Sequence, residues 1–234
     1  MQVFVINPNA TESMTDMAAL TARRVAAQGT EIRSATGRGL SPRSIEGFAD
    51  EAMSVPSMLE QIREAEAAGA QATVIACFDD PGLDAAREVA TGPVIGICQA
   101  GIQAAMVLSK RFSIVTTLPR SVPAIEDLVL RYGASHHCRK VRCIDLPVLS
   151  IESDSQHAFS LLAGEIARAR DEDGAEAVLL GCAGMSEMTE SLSRATGVVV
   201  IDGVVVAVKQ AEALVGSGLQ TSKANAYARP RIKV

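Results

Sequence analysis

The sequence lacks the side chains that nucleic-acid binding needs. Its 234 residues include no tryptophan, two tyrosines and five phenylalanines, so few rings are present on which bases could stack. The formal net charge is −5 at pH 7, and no run of lysines or arginines forms the concentrated basic face that phosphate binding requires. We therefore expect no nucleic-acid partner.

We expect neither a signal peptide nor a membrane-spanning segment in this sequence. Its start, MQVFVINPNA, has no basic region and no small-residue cleavage site. The most apolar late segment, GVVVIDGVVVAV, is too short for a bilayer span and is interrupted by Asp202 and Gly203. With 48% hydrophobic and 21% charged residues, the composition is typical of a globular protein. We predict a cytoplasmic protein of the size of an enzyme, with no membrane partner.

The five cysteines occur without any CxxC spacing, and their odd number argues against a disulfide framework. HHCRKVRC places His136 and His137 beside two cysteines, which is the one pattern that suggests a metal. A second ligand pair is missing, and neighbouring side chains point apart in an extended chain, so we predict no metal site. Cys98 follows an apolar run and is expected in the core.

Apolar runs of strand length alternate with amphipathic helical patterns, which is typical of an α/β fold with mostly parallel sheets. The two clearest helical patterns, EQIREAEAAGA and AGEIARARDEDGA, each stop at a glycine just before a strand. The predicted strands are VFVIN (3–7), ATVIAC (72–77), PVIGIC (93–98), FSIVTT (112–117), AVLLGC (177–182) and VVVID (198–202).

The chain contains one such pattern twice. GAQATVIAC (69–77) aligns with GAEAVLLGC (174–182), and ATGPVIGI aligns with ATGVVVID at the same offset of 105 residues. Strand–helix–strand units resemble one another in general, but the shared positions here include Gly and Cys as well as aliphatic residues. We predict two pseudo-symmetric α/β lobes with a cleft between them. The first comprises residues 1–97 and 209–234, and the second comprises residues 98–208.

The duplication pairs Cys77 with Cys182, each at the C-terminal exit of a predicted strand. Ligands of open α/β sheets bind beyond such strand ends, so both thiols are expected to face one cleft. Helices are predicted to start at Asp80, with Pro81 in the first turn, and at Ser186. The dipole of such a helix would lower a thiol pKa from about 8.5 toward neutrality.

Two equivalent thiols suit proton transfer at opposite faces of one carbon. One thiolate would remove a proton while the other thiol delivers a proton from behind, and the centre would be inverted. An adjacent carbonyl would make the carbon acidic, with its enolate held by backbone N–H groups and hydroxyls. A lone nucleophilic cysteine would instead need a histidine or acid partner, and none of the three histidines lies in a strand-end motif.

Several motifs together resemble the hydantoin racemase branch of the aspartate/glutamate racemase superfamily, which includes allantoin racemases. They are INPNATESMT, SIEGFADEA, ACFDDPGLDAARE, FSIVTTLPRS, GCAGM and IDGVVVAVKQAEAL. The resemblance implies a homo-oligomeric racemase without cofactors, acting on a 5-substituted hydantoin or allantoin, with Cys77 and Cys182 as its acid–base pair. Amino-acid racemases of the superfamily carry a histidine soon after the second cysteine, whereas Ala183, Gly184 and Met185 stand here. A free amino acid is therefore a less favoured substrate.

The resemblance also implies that Asn9, Thr116 and Thr117 bind the carbonyl and N–H groups of the small-molecule substrate. For Thr11 and Ser13 in the same motif, capping of the following helix is an equally good interpretation. The residues expected to wall the pocket, for which core packing or capping is the alternative, are Ile45, Phe78, Asp79 and Ala183.

Two other functions remain open at this point. A decarboxylase of disubstituted malonates, which the superfamily also contains, would need only one protonating cysteine. A ligand-binding protein or thiol sensor could use the same lobes without catalysis. The presence of both Cys77 and Cys182 favours the racemase.

Overall fold

The structure is a computed structural model that describes residues 1–231, so positions 232–234 of the predicted first lobe lie outside the described residues. It contains two four-stranded sheets. The strands are β1 (Gln2–Asn7), β2 (Glu31–Thr36), β3 (Ala72–Ile75), β4 (Val94–Gly96), β5 (Phe112–Thr116), β6 (Cys138–Cys143), β7 (Ala177–Leu180) and β8 (Val199–Ile201).

Helices connect the strands. They are α1 (Glu12–Val25), α2 (Phe48–Ala67), α3 (Leu83–Val89), α4 (Ile97–Leu108), α5 (Ser121–Arg131), α6 (Ser150–Ser153), α7 (Ser155–Asp173), α8 (Thr189–Thr196) and α9 (Gly203–Gly216). Two 3₁₀ helices occupy Ala183–Met188 and Asn225–Tyr227. Within residues 1–231, none of the helices combines the length and apolarity needed to cross a bilayer.

The two sheets repeat one topology. Their strand orders are β2-β1-β3-β4 and β6-β5-β7-β8, and every neighbouring pair is parallel. The predicted α/β fold with two pseudo-symmetric lobes is therefore confirmed. The exact division of the chain into two domains stays a prediction.

The central strands are the ones that hydrophobicity predicts. β3, β5 and β7 are buried at every position, so apolar residues predominate in each of them. The sequence analysis missed β2 and β6, which lie at sheet edges and expose several of their residues. An edge strand needs no continuous apolar run, because one of its sides faces solvent.

One hydrophobic core joins the two sheets. Val5 and Val74 from the first sheet and Ile114 and Leu179 from the second belong to the same cluster of buried side chains, together with apolar residues of α4 and α9. Helices α4 and α9 pack against each other, and the side chains of Gln103 and Gln210 are hydrogen-bonded at 3.0 Å between them. This packing holds the carboxyl ends of both sheets around a common cavity.

Candidate active site

A cavity lies where β1, β3, β5 and β7 end. A cavity at the carboxyl ends of parallel strands is the usual ligand position in α/β sheets. Its lining residues come from both lobes: Asn9, Met14, Ile45, Ala76, Cys77, Phe78, Asp79, Thr116, Thr117, Ser121, Val148, Gly181, Cys182 and Ala183. The nine residues predicted for the site are all among them, while their individual roles stay predictions.

The two thiols occupy equivalent places. Cys77 lies two residues beyond the end of β3, and Cys182 lies two residues beyond the end of β7. β3 and β7 are interior strands of their sheets, so each cysteine emerges in the middle of a sheet rather than at an edge. All five cysteines are free thiols, and Cys98 is fully buried as expected.

Burial controls the acidity of both thiols. It raises the pKa of Cys77 far above the usual cysteine value, and the neighbouring charge of Asp79 raises it further. Burial also raises the pKa of Cys182, to about 11. The backbone N–H of Asp79 and that of Gly184 act in the opposite direction on their respective sulfurs. The expectation that helix dipoles bring these pKa values toward neutrality is therefore wrong, because the loss of water around the sulfurs outweighs the nearby N–H groups.

The segment after Cys77 also differs from the prediction. Asp80 does not begin a helix with Pro81, because α3 starts only after Gly82, which has φ of +61°. The Asp80 carboxylate instead accepts hydrogen bonds from the backbone N–H groups of Cys98 (3.1 Å) and Gln99 (2.9 Å) in the first turn of α4. A cap supplied from a distant loop cannot be identified by local spacing.

The segment after Cys182 is likewise different. A 3₁₀ helix begins at Ala183, directly after the cysteine, and continues into α8, whose N-cap residue is Met188. The prediction that Ser186 starts a helix is therefore wrong. The cysteine itself is the N-cap residue of the 3₁₀ helix.

The side of the cavity that carries the threonine hydroxyls is formed where the ends of β5 and β7 come close together. The Thr116 hydroxyl donates to the carbonyl oxygen of Gly181 at 3.1 Å. A Cβ atom at residue 181 would lie 2.8 Å from the Cβ of Thr116, so only glycine fits there. Ser121, at the start of α5, adds a further hydroxyl that the sequence analysis missed, although it belongs to the quoted motif FSIVTTLPRS.

The apolar side of the cavity is formed by loops of both lobes. Glu46 accepts a hydrogen bond from the backbone N–H of Val148 at 3.2 Å, which joins the loop of Ile45 to the loop that follows β6. Met14 from α1 completes this side. The sequence analysis missed Val148 and Met14, since only the folded chain brings their segments to the cavity. Thr11 occupies the N-cap position of α1 but makes no capping hydrogen bond with its side chain.

Few charged side chains line the cavity. No Lys, Arg or His is among the described lining residues, and Asp79 is their one carboxyl group. Burial, together with the charges of Glu51 and Asp80, raises the pKa of Asp79 to about 7. Within residues 1–231, no group of three or more His, Cys, Asp or Glu side chains is arranged to hold a metal ion. The described lining residues therefore offer no cationic partner to an anionic ligand.

Comparison with known proteins gives the family of the chain. The family model described as Asp/Glu/Hydantoin racemase matches residues 3–211, which is most of the sequence. The chain belongs to this family. It is accordingly an enzyme of the isomerase class, a racemase, as the sequence motifs predicted.

Relatives within the Asp/Glu/hydantoin racemase family are similar over their whole length. A hydantoin racemase of Rhizobium meliloti is 63% identical over 233 residues, covering 100% of this chain and 96% of the relative. A hydantoin racemase of Pseudomonas sp. (strain NS671) is 44% identical, with 100% and 93% covered. The structure of an allantoin racemase from Klebsiella pneumoniae superposes with a TM-score of 0.97 at 47% identity, covering 100% of this chain and 95% of that one.

Proposed function

We propose that this racemase inverts the C5 centre of 5-substituted hydantoins or allantoin by a two-base mechanism, with Cys77 and Cys182 as the two acid–base groups. The observation that carries the proposal is the pair of thiols. They lie at equivalent strand ends of two lobes and line one cavity that has no cationic side chain among its described lining residues. The hydantoin and allantoin racemases to which the chain is similar support the choice of substrate class.

The reaction needs only proton movement. The thiolate of one cysteine takes the C5 proton, and the electron pair of the C–H bond moves onto the neighbouring carbonyl oxygen to form an enolate. The thiol of the other cysteine then delivers its proton to the opposite face of C5, and the enolate returns to the carbonyl. The product is the other enantiomer, and the two cysteines have exchanged their protonation states. Both directions therefore use the same two groups.

The raised thiol pKa values suit a weakly acidic carbon. A buried thiolate with a pKa of about 11, as for Cys182, is a stronger base than a thiolate tuned to neutrality. Since only the thiolate accepts the C5 proton, the fraction of competent enzyme increases with pH. We expect the racemisation rate to rise from pH 7 to about pH 8.5.

The absence of a cationic partner argues against an anionic substrate. A malonate or a free amino acid carries at least one carboxylate, and a buried carboxylate needs a cation or several N–H donors. Among the described lining residues the ionised Asp79 would repel such a group. A hydantoin ring is neutral and offers both N–H donors and carbonyl acceptors, which match the hydroxyls of Thr116, Thr117 and Ser121.

We further propose that the enzyme uses neither metal nor organic cofactor, forms a homo-oligomer and works in the cytoplasm. Acid–base chemistry by two thiols requires no electron sink. Closed symmetric homo-oligomers are the common state of enzymes of this size, and the exposed apolar side chains of Val107, Leu108 and Leu130 are available for subunit contacts.

The proposed function is tested by following the optical signal of pure enantiomers. Purified enzyme, dialysed against EDTA, is incubated with allantoin, an aliphatic hydantoin and an aromatic hydantoin, and circular dichroism is recorded. We expect the signal of at least one compound to decay to zero from either enantiomer. Cys138→Ser, which alters a thiol outside the cavity lining, serves as the matched control and should remain active.

Persistence of the optical signal with all three compounds would refute the proposal and favour a binding protein. Release of carbon dioxide from a disubstituted malonate would favour the decarboxylase. Loss of activity on EDTA treatment, restored by a metal, would refute the absence of a cofactor while leaving the substrate class intact.

A further inference from the structure

The side-chain amide of Asn7, at the end of β1, has one possible orientation. Asn7 is 2% exposed. Its Nδ2 donates to the backbone carbonyl of Thr11 at 3.1 Å, and its Oδ1 accepts from the backbone N–H of Asn9 at 3.2 Å. A carbonyl can only accept and an N–H can only donate, so exchanging the amide nitrogen and oxygen would break both bonds.

Hydrogen bonds also fix the orientation of the Asn9 amide. Its Oδ1 accepts from Asn7 Nδ2 at 2.8 Å and from the backbone N–H of Thr11 at 2.9 Å. The oxygen is therefore occupied by two donors on the protein side. Its Nδ2 contacts the sulfur of Met14 at 3.4 Å, and a thioether is only a weak acceptor. Since Asn9 and Met14 both line the cavity, the amide presents an N–H donor there and keeps its acceptor turned away.

We propose that Asn9 donates this hydrogen bond to the carbonyl oxygen next to C5, and that Asn7 is the positioning residue that holds the Asn9 amide in its donor orientation. The proposal rests on the proposed function. Negative charge develops on that oxygen when the C5 proton moves to a thiolate. A donor fixed in advance binds the enolate more tightly than the neutral carbonyl, and it therefore lowers the barrier rather than only strengthening substrate binding.

A hydroxyl from the second lobe would help to fix the orientation of the hydantoin ring in the cavity. Thr117 follows β5 in the second lobe and lines the same cavity as Asn9. A threonine hydroxyl can accept as well as donate, whereas the Asn9 amide is restricted to donation. In a hydantoin, C5 lies between a carbonyl on one side and a ring N–H on the other. The ring would thus place its carbonyl edge toward Asn9 and its N–H edge toward Thr117.

The test compares two variants that remove the donor with one that does not. Asn9→Asp keeps the shape of the side chain but offers no N–H, and we expect kcat to fall about 100-fold with KM changed less than about threefold. In Asn7→Asp, an oxygen replaces the nitrogen that donates to Asn9 Oδ1 and to the Thr11 carbonyl. Two oxygens in contact repel each other, which favours an Asn9 amide turned so that its nitrogen faces residue 7 and its oxygen faces the cavity. We expect kcat to fall about tenfold or more in this variant.

Thr15→Val is the matched control. The Thr15 hydroxyl lies 3.0 Å from Asn7 Nδ2 and shares the two hydrogens of that nitrogen with Asn9 Oδ1 and the Thr11 carbonyl. Its loss disturbs the same cluster and leaves the partners that orient both amides in place. We expect Thr15→Val to keep kcat within about threefold of the wild type, even where its thermal stability falls as much as that of Asn7→Asp. A kcat loss in Asn7→Asp without a matching loss in Thr15→Val would show that Asn7 acts by orienting the Asn9 amide, and not only by stabilising the fold.

Two further readouts address the charge that aspartate introduces. If the variants acted by raising a thiol pKa, higher pH would restore their rates, whereas loss of the donor persists across the pH range. Asn9→Ala, which removes the donor without adding a charge, should lose kcat as Asn9→Asp does. In deuterated water, exchange of the C5 proton should fall in parallel with racemisation, since enolate formation itself is slowed.

The outcomes are distinct. A wild-type enzyme inactive on every hydantoin refutes the proposed function and this inference with it. An active wild type with near-normal kcat in both Asn9→Ala and Asn7→Asp refutes the inference alone. Equal kcat losses in Asn7→Asp and Thr15→Val refute the positioning role of Asn7 and leave Asn9 as the donor.

Discussion

The two cysteine loops share a position in the fold but differ in the side chains that follow. In the first lobe, Cys77 is followed by Phe78, Asp79 and Asp80. In the second lobe, Cys182 is followed by Ala183, Gly184 and Met185. Both sulfurs receive a backbone N–H from the residue two positions later. Duplication thus preserved the backbone setting of the thiols, while their electrostatic surroundings diverged.

The loops are also held in place differently. Asp80 caps α4, and its carboxylate additionally accepts the Tyr132 hydroxyl at 2.8 Å, a contact from the second lobe. A Cβ at residue 96 would lie 2.3 Å from that carboxylate, so glycine is required where Asp80 approaches α4. In the second lobe, Met185 stands at the position of Asp80 and is fully buried. Helix α9, which follows β8 as α4 follows β4, is capped by the neighbouring residue Asp202. Hydrogen bonding to a buried carboxylate in one lobe is replaced by apolar packing in the other.

The largest effect is expected from removing either thiol. Cys77→Ser and Cys182→Ser should each lose racemisation by about 10³-fold or more, because a serine hydroxyl is too weak an acid to supply the base. The remaining thiolate still removes the proton that faces it. In deuterated water, each variant should exchange the C5 proton of one enantiomer with retention, and the two variants should select opposite enantiomers, as proton NMR can show.

A one-base mechanism gives a different result, with one variant inactive toward both enantiomers and the other nearly normal. Substantial racemisation by either variant would contradict the two-thiol proposal. The Cys138→Ser control should racemise and exchange both enantiomers as the wild type does.

An intermediate effect is expected from removing the carboxyl group that distinguishes the loops. Asp79→Asn eliminates a negative charge beside Cys77. That charge is the second-largest cause of the raised pKa of Cys77, after burial. Because the pKa of Asp79 is about 7, its charge is present at pH 8.5 and mostly absent at pH 6. We expect Cys77 to be alkylated about tenfold faster in Asp79→Asn than in the wild type at pH 8.5, and at nearly equal rates at pH 6.

Peptide mass spectrometry after timed alkylation measures both cysteines in one sample. In the wild type at pH 8.5, Cys182 should react before Cys77, since its pKa is less strongly raised. Glu190→Gln removes an exposed acid of α8 and should leave both rates unchanged. An Asp79→Asn enzyme that labels like the wild type at pH 8.5 would show that the two loops are electrostatically equivalent.

The smallest effect is expected from removing the hydrogen bond that the Tyr132 hydroxyl donates to Asp80. Tyr132→Phe removes one hydrogen bond to the buried Asp80 carboxylate and should lower the free energy of unfolding by about 1–2 kcal/mol at pH 8. Burial raises the pKa of Asp80 to about 6, and the Tyr132 hydroxyl opposes that shift. The pKa of Asp80 is therefore higher in Tyr132→Phe, and the stability difference should shrink as pH falls through about 6, where the carboxylate becomes protonated in both proteins.

Urea unfolding at pH 8 and pH 5 measures this difference. Tyr227→Phe is the matched control, because the Tyr227 hydroxyl donates to the exposed Asp84 at 2.9 Å. It should change stability by less than about 0.5 kcal/mol at either pH. An equal, pH-independent loss in both tyrosine variants would mean that the hydrogen bond from Tyr132 to Asp80 contributes nothing beyond an ordinary surface contact.

The sequence by itself determined the duplicated fold and the meeting of the two thiols. Apolar residues predominate in strands β3 and β7, and each ends just before a cysteine, so local pattern and internal repetition were sufficient to place Cys77 and Cys182 at equivalent strand ends. The family-like motifs of the sequence also contain the other predicted lining residues, such as Asn9 in INPNATESMT and Thr117 in FSIVTTLPRS. These features depend on short stretches of chain.

Tertiary structure alone decided what depends on distant segments. The Asp80 cap on α4 spans 18 residues, and the Glu46 contact with Val148 joins two lobes. The raised pKa values of the thiols arise from protein packed around them, which local helix signals cannot predict. The edge strands β2 and β6 are recognised by their neighbours rather than by apolar runs. The donor orientation of Asn9 likewise follows from partners that only the folded backbone brings together, because hydrogen bonds and desolvation depend on atoms close in space rather than in sequence.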